Sequence, residues 1–148
     1  MRAFFRESPN EKIDGNVLEA NGVFYRQLPM EKDQYQPHLD DLTKKRGYIT
    51  QDEVKLWPDM PNLEVALKKF DPEHHHEEDE VRFVLDGEGV FDIRSNDERW
   101  MRVIVEKGDL IVVPKGKHHR FELTEQTQIH CVRLFKDPAG WVAVYRNA

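Results

Sequence analysis

The chain has 148 residues and a mass of 17.6 kDa, a size typical of one domain with one hydrophobic core. Its formal charge of -6 argues against binding to nucleic acid and to anionic membranes, which both require clustered Lys and Arg. The sequence contains neither an apolar run of the roughly 20 residues that span a bilayer nor a secretory signal, so we expect a soluble cytoplasmic protein. Cys131 is the only cysteine, which excludes an internal disulfide and favours a role in the core.

The first 70 residues have patterns typical of one strand and several short helices. Residues 24–28 predict a strand, and the apolar spacing of residues 39–45 and 63–70 predicts helices. Residues 50–53, Thr-Gln-Asp-Glu, have the form of a capping box and predict the start of a further helix. We interpret residues 1–70 as a strand and helices that pack on a barrel of residues 71–148, within one domain spanning residues 1–148.

After Pro72 the pattern changes to short strands in which apolar and polar residues alternate. Turn residues at 86–89, 95–97 and 107–109 each predict a hairpin. Many short strands with regular turns are typical of a mainly β protein with an antiparallel barrel or sandwich. The predicted strands cover residues 74–85, 89–93, 100–105, 110–113, 120–123, 129–135 and 141–145.

Histidines are concentrated in one part of the chain, because six of the seven lie between positions 74 and 130. Side chains of an extended strand alternate between its two faces. His74, His76 and Glu80 therefore point the same way if the strand continues without a bulge, whereas His75 points to the opposite face. Clustered imidazoles and a carboxylate with this geometry are typical of a site for one divalent metal ion.

A fourth ligand must come from another strand, and His118 and His119 both follow a turn rich in Pro and Gly. Periodicity alone does not choose between them. Three imidazoles and one carboxylate favour Fe(II), Ni(II), Mn(II) or Co(II) over a structural zinc, and an octahedral ion would keep two open positions. The alternative interpretation is a set of surface histidines in a solvated acidic stretch.

Glycines lie at set distances from the candidate ligands in both histidine-containing segments. The first segment is His74-x-His76-x-x-x-Glu80, followed by six residues and Gly87. The second is Gly108, five residues and Pro114-x-Gly116-x-x-His119. This spacing resembles the two motifs of the cupin superfamily. The resemblance implies a cupin-type antiparallel β-barrel, or double-stranded β-helix, and selects His119 over His118 as the fourth ligand.

Short segments around these ligands carry a narrower resemblance: Glu-Val-Arg-Phe at 80–83, His-Arg-Phe at 119–121 and Arg-Leu-Phe at 133–135. They resemble the acireductone dioxygenases of methionine salvage, and the similarity extends over residues 70–145. It implies cleavage by O2 of the enediol 1,2-dihydroxy-3-keto-5-methylthiopentene, with one Fe(II) or Ni(II) per chain. Iron implies 4-methylthio-2-oxobutanoate and formate as products, and nickel implies 3-methylthiopropanoate, formate and carbon monoxide.

Five further residues are candidates for contacting the substrate. Arg82 lies on the predicted inward face of its strand, and the resemblance implies that Arg133 also faces the substrate and stabilises negative charge. A structural ion pair with a nearby carboxylate is the alternative role of each arginine. Phe70, Phe121 and Trp141 are expected to form an apolar wall for the methylthio group, although each alone is compatible with an ordinary core position.

Two other functions are compatible with the same ligands. One is a different metal-dependent cupin dioxygenase or isomerase, and the other is a non-catalytic cupin that binds a small ligand. The sequence assigns no general base. It contains no self-complementary apolar surface, so we expect a monomer whose partners are the small-molecule acireductone and O2.

Overall fold

The computed structural model describes residues 1–126, 128–137 and 142–146. Within these ranges the chain forms mainly β structure, which confirms the predicted fold class. The three helices are α1 (Gly15–Ala20), α2 (Lys32–Arg46) and α3 (Leu63–Phe70). The strands are β1 (Arg2–Phe5), β2 (Ser8–Lys12), β3 (Phe24–Gln27), β4 (Thr50–Leu56), β5 (His74–His75), β6 (Glu80–Arg94), β7 (Trp100–Glu106), β8 (Asp109–Val113), β9 (His119–Leu123), β10 (Ile129–Phe135) and β11 (Val144–Tyr145).

The strands form two antiparallel sheets that share the long strand β6. The first half of β6 pairs with β8 and β10, and β3 and β4 extend this sheet at its two sides. The second half pairs with β7 and β9, and this sheet continues through β1 and β2 on one side and through β5 and β11 on the other. Apolar side chains of both sheets meet in one core, as in a cupin barrel.

A β-bulge lies where β6 passes from one sheet to the other. Cys131 of β10 lies opposite Val84, and the next pair joins His130 to Asp86, so Leu85 is an extra residue. An extra residue reverses the alternation of side chains that follow it. Even-numbered residues face the interior before the bulge, and odd-numbered residues face it afterwards.

The hairpin predicted at residues 86–89 is wrong, because β6 continues through them. Each half of the strand has its own partners, so the chain has no need to reverse there. The glycine at position 87 serves a different purpose. Gly87 has a φ of +76°, and a Cβ atom at this residue would lie only 2.3 Å from the backbone oxygen of Gln128.

The other two predicted turns have different outcomes. Residues 95–97 lie in the connection of residues 95–99 between β6 and β7, a hairpin in which Arg94 lies opposite Trp100, so this prediction is confirmed. Residues 107–108 form a turn between β7 and β8, but these two strands belong to different sheets. The third predicted hairpin is therefore wrong, because the turn moves the chain between sheets.

The N-terminal region adds more strands than the sequence predicts. The strand at 24–28 and the helices at 39–45 and 63–70 are confirmed by β3, α2 and α3. The helix predicted from residues 50–53 is wrong, because Thr50–Leu56 pairs along its whole length with β10. Hydrogen bonds to a neighbouring strand outweigh a local capping pattern, which contributes only about 1 kcal/mol.

Strand β8 lies in a sheet whose two faces are both covered. All five of its residues are buried. Ile111 and Val113 point into the core between the sheets, whereas Leu110 and Val112 point to the apolar face of α2.

None of the helices within the described ranges combines the length and apolar character needed to cross a membrane.

Replacing Gly87 with alanine should strongly destabilise the protein. The alanine has to adopt a positive φ, which costs roughly 1–2 kcal/mol. Its Cβ atom has to displace the backbone at Gln128, which costs roughly 1–3 kcal/mol. We expect the free energy of unfolding in urea to fall by about 3 kcal/mol. Gly116→Ala is the matched control, because Gly116 also has a positive φ but a Cβ there meets nothing within 4 Å. Equal losses in both variants would contradict this account.

Candidate metal centre

Three buried histidines converge at one end of the barrel. One ligand nitrogen from each of His74, His76 and His119 lies within 4.8 Å of the others. None of these residues is more than 3% exposed to solvent. His74 and His119 meet because they are direct neighbours in the pairing of β5 with β9. The cluster therefore depends on the contact of two strands that are distant in sequence.

Glu80 reaches these histidines because hydrogen bonds hold the loop of residues 76–79 in place, and not because side chains alternate along one strand. The predicted continuous strand 74–85 is wrong in this respect, because residues 76–79 lie outside β5 and β6. The carbonyl of His76 accepts a hydrogen bond from Gly116 N at 2.9 Å. The carboxylate of Asp79 accepts bonds from Lys115 N at 3.0 Å and from the Tyr48 hydroxyl at 2.7 Å. These bonds hold the loop against the turn that precedes β9.

Backbone carbonyls orient two of the three imidazoles. The Nδ1 atom of His74 donates to the carbonyl of Pro72 at 2.7 Å, and the Nδ1 atom of His119 donates to that of Lys117 at 2.9 Å. In the neutral form of a histidine whose Nδ1 donates in this way, the proton is on Nδ1 and Nε2 keeps a lone pair. Fixing the tautomer in this way is typical of histidines that bind metals.

Glu80 completes a group of four side chains. Its Oε2 atom lies 3.0 Å from Nε2 of His119, and its Oε1 atom lies 3.8 Å from Nε2 of His76. Arg82 contacts the same carboxylate, with 3.2 Å between Nη2 and Oε1. Glu80 is only 6% exposed, so these contacts occur away from bulk water.

The polar atoms of this group fit a metal ion. Within the described residues, the Nε2 atoms of all three histidines and Oε2 of Glu80 are buried and lack a satisfied hydrogen bond, although Oε2 of Glu80 lies 3.0 Å from Nε2 of His119. Leaving a polar atom buried in this state costs about 1–3 kcal/mol, so native proteins rarely have several together. Coordination of a cation removes this cost, because the same lone pairs then bind the metal.

The protonation states also suit a cation. Burial, together with the nearby His119, lowers the pKa of His74 to about 4, and burial likewise lowers the pKa of His76. Both rings are therefore neutral near pH 7. Burial alone raises the pKa of Glu80, but the positive charge of Arg82 is the main effect that outweighs it and leaves this pKa well below its usual value. Neutral imidazoles and an ionised carboxylate are the forms that bind metals.

A cavity adjoins the metal cluster at Glu80. Arg82 and Arg133 both line it, and they are direct neighbours in the pairing of β6 with β10. Phe70 and Phe121 line the same cavity, whereas Trp141 lies outside the described residues. The remaining lining residues are apolar or weakly polar: Val54, Leu56, Phe91, Ile129 and Cys131.

Arg133 has a carboxylate partner that the sequence did not indicate. Its Nε and Nη2 atoms donate to the two carboxylate oxygens of Asp52 at 2.7 and 2.6 Å. Asp52, Val54 and Leu56 all belong to β4 and reach the cavity region from it. They were missed because the segment was interpreted as a helix, although the alternation of Val54, Lys55 and Leu56 is a strand signal.

The other two histidines of the candidate segments lie outside the cluster. The rings of His75 and His118 pack against each other with centroids 5.0 Å apart. Nε2 of His75 also lies 3.1 Å from a carboxylate oxygen of Glu77. The structure thus brings together His74, His76 and His119 and separates them from their sequence neighbours.

Comparison with known proteins identifies the family. A sequence model of the ARD/ARD' family matches residues 2–143. The chain belongs to the acireductone dioxygenase family. An acireductone dioxygenase from Heterostelium pallidum is 45% identical over 147 residues, and one from Dictyostelium discoideum is 42% identical over 146 residues. Each alignment covers 99% of both proteins.

A solved structure of this family has a fold similar to that of the chain. It is an acireductone dioxygenase from Bacillus anthracis with a cadmium ion in its active center. It matches with a TM-score of 0.89 and 30% identity, and the alignment covers 97% of each chain. In the present chain His74, His76 and His119 are grouped closely enough to hold one metal ion.

Substitution of the paired histidines tests which of them holds the metal. His119→Ala should remove a ligand, so we expect bound metal to fall from about one ion per chain to near zero in metal analysis after dialysis. His118→Ala is the matched control, because it changes the adjacent residue, whose ring packs against His75. We expect it to retain near-normal metal content, and the reverse pattern would contradict the assignment.

Proposed function

We propose that this protein cleaves the acireductone 1,2-dihydroxy-3-keto-5-methylthiopentene with O2, as a step of methionine salvage. The observation that carries this proposal is the joining of a buried three-histidine site to a cavity that contains two arginines and an apolar wall. Membership of the acireductone dioxygenase family along nearly the whole chain supports the same reaction.

In this proposal His74, His76, Glu80 and His119 hold one Fe(II) or Ni(II). The bound metal supplies Lewis acidity and a redox-active centre for the reaction of the enediol with oxygen. We propose that the iron form yields 4-methylthio-2-oxobutanoate and formate. The nickel form would yield 3-methylthiopropanoate, formate and carbon monoxide.

The two cavity arginines are suited to bind the ionised enediol. Arg82 and Arg133 bring two guanidinium groups to neighbouring positions, where Glu80 and Asp52 are their carboxylate partners. A guanidinium group that lines a partly buried cavity favours the anionic form of an acidic substrate that contacts it. The same charges stabilise negative charge that develops on its oxygens during cleavage.

The apolar part of the cavity is suited to the methylthio group. Phe70 and Phe121 lie on α3 and β9, and Val54 and Leu56 approach from β4. Burial of an apolar tail against such a wall contributes about 25 cal/mol per Å² and orients the enediol towards Glu80. We propose that Phe70, Phe121 and Trp141 contact the methylthio group of the substrate.

A direct assay tests the reaction. Protein loaded with Fe(II), or separately with Ni(II), is mixed anaerobically with enzymatically generated acireductone, and oxygen is then admitted. We expect rapid loss of the enediol absorbance and the products assigned above to each metal, identified by mass spectrometry and gas analysis. His119→Ala should reduce the rate to that of buffer. A wild-type rate equal to that of buffer would refute the proposed reaction.

Asp52→Asn tests the role of Arg133 without changing a residue at the metal. Loss of the bidentate pair leaves the guanidinium less well oriented, so we expect kcat/KM for acireductone to fall about 10-fold while metal content stays unchanged. Glu53→Gln is the matched control on the same strand, because Glu53 pairs with His130 instead. Its kcat/KM should stay within about twofold of wild type, and an equal loss in both variants would contradict a specific role for Asp52.

A further inference from the structure

A group of charged residues lies on the outer face of the sheet that carries His119. Asp92, on β6, is 1% exposed and is the centre of this group. Arg102 of β7 and Arg120 of β9 are its direct neighbours in the two adjacent pairings. Arg102 donates two hydrogen bonds of 2.9 Å to Asp92, and Nη1 of Arg120 donates one of 2.8 Å. Both arginines also contact Glu122.

Arg120 differs from Arg102 because it also reaches the segment between α3 and β5. Its Nε atom donates to the backbone carbonyl of Asp71 at 2.8 Å, and its Nη2 atom donates to the Asp71 carboxylate. One planar guanidinium thus joins Asp92, on the outer face of the sheet, to a connection that lies outside any strand. Its side chain is only 18% exposed, so water competes weakly for these contacts.

The connection held by Arg120 carries the carbonyl that orients His74. Asp71 is followed by Pro72, whose carbonyl accepts the Nδ1 proton of His74 at 2.7 Å. The carbonyl that Arg120 binds and the carbonyl that His74 binds are therefore on successive residues. Movement of Asp71 would displace the Pro72 carbonyl and allow the imidazole to rotate or to change its tautomer.

We propose that Arg120 is a positioning residue of the metal centre, which fixes the Asp71–Pro72 connection so that His74 presents Nε2 to the metal. The adjacent residue, His119, is a member of the three-histidine cluster. Side chains alternate along β9, so His119 points into the barrel while Arg120 points outwards. One strand segment thus places one imidazole directly and orients a second one through the backbone.

This role concerns the metal centre and does not rest on the proposed reaction. Outer residues that orient histidine ligands usually change metal affinity 10–100-fold when they are removed. Arg120 acts through one further backbone step, so we expect a loss near the lower end, about 10-fold. Arg102 shares the contacts to Asp92 and Glu122 and has none to Asp71 among the hydrogen bonds of the described residues, so its removal should leave metal affinity nearly unchanged.

The experiment compares Arg120→Met with Arg102→Met in the full-length, metal-free protein. Each variant is titrated with Co(II) against a competing chelator, and the visible absorption of bound Co(II) reports the ligand geometry. Proton and nitrogen NMR of the histidine rings reports the Nδ1 protons of His74 and His119. Neither readout requires acireductone, so a failure here is distinct from a failure of the proposed reaction.

We expect Arg120→Met to weaken Co(II) binding about 10-fold, to change the absorption spectrum and to lose the protected Nδ1 signal of His74 but not that of His119. Arg102→Met should keep all three properties within about twofold of wild type. Equal effects in the two variants, or wild-type affinity in Arg120→Met, would overturn the proposal.

Arg120→Lys provides a second test if Arg120→Met does not fold. Lysine keeps a positive charge opposite Asp92, but a single ammonium group lacks the planar fork that binds Asp92 and the Asp71 carbonyl together. We expect this variant to fold and still to bind Co(II) about 10-fold more weakly. Wild-type Co(II) affinity in Arg120→Lys would equally overturn the proposal.

Discussion

The structure depends on the burial of three imidazoles and one carboxylate at a place where their inward-facing atoms lack a satisfied hydrogen bond among the described residues. Such an arrangement is unfavourable without a cation, because each unpaired buried polar atom carries a desolvation cost. It is favourable with one, because burial keeps the rings of His74 and His76 neutral, and one ligand nitrogen of each of the three histidines lies within 4.8 Å of the others. The surrounding fold therefore has to hold these side chains, which come from distant segments of the chain, close together.

The shared strand β6 meets this requirement. Its first residue is Glu80, at the metal centre, and its later residues pair with β9, which begins at His119. The bulge at Leu85 turns the strand from one sheet into the other and reverses which residues face inwards. Glu80 and Arg82 thus face the interior on one side of the bulge. On the other side Asp92 faces outwards, where it anchors charged residues that support β9.

The cavity beside Glu80 joins two environments that a single strand could not supply. Arg82 and Arg133 come from neighbouring strands of one sheet, while Phe121 comes from the other and Phe70 from α3. One small molecule with an anionic head and an apolar tail can then contact the arginines with its head and the phenylalanines with its tail. The pair between Arg133 and Asp52 also shows that a structural ion pair and a cavity-lining role coexist in one arginine.

The sequence alone was sufficient for the family, the β-rich fold class and the three histidines, because these depend on local spacing. The spacing of the motifs around His74, His76 and His119 can be seen directly in the sequence. Strand periodicity is likewise visible wherever one face of a strand is buried. The sequence did not reveal the unbroken course of β6, the strand formed by Thr50–Leu56 or the loop that carries Glu80 to the histidines. Those features are decided by tertiary structure, because each depends on a partner segment far away in the chain: β10 for Thr50–Leu56, Gln128 for Gly87, and the turn at Gly116 for the loop that begins at His76.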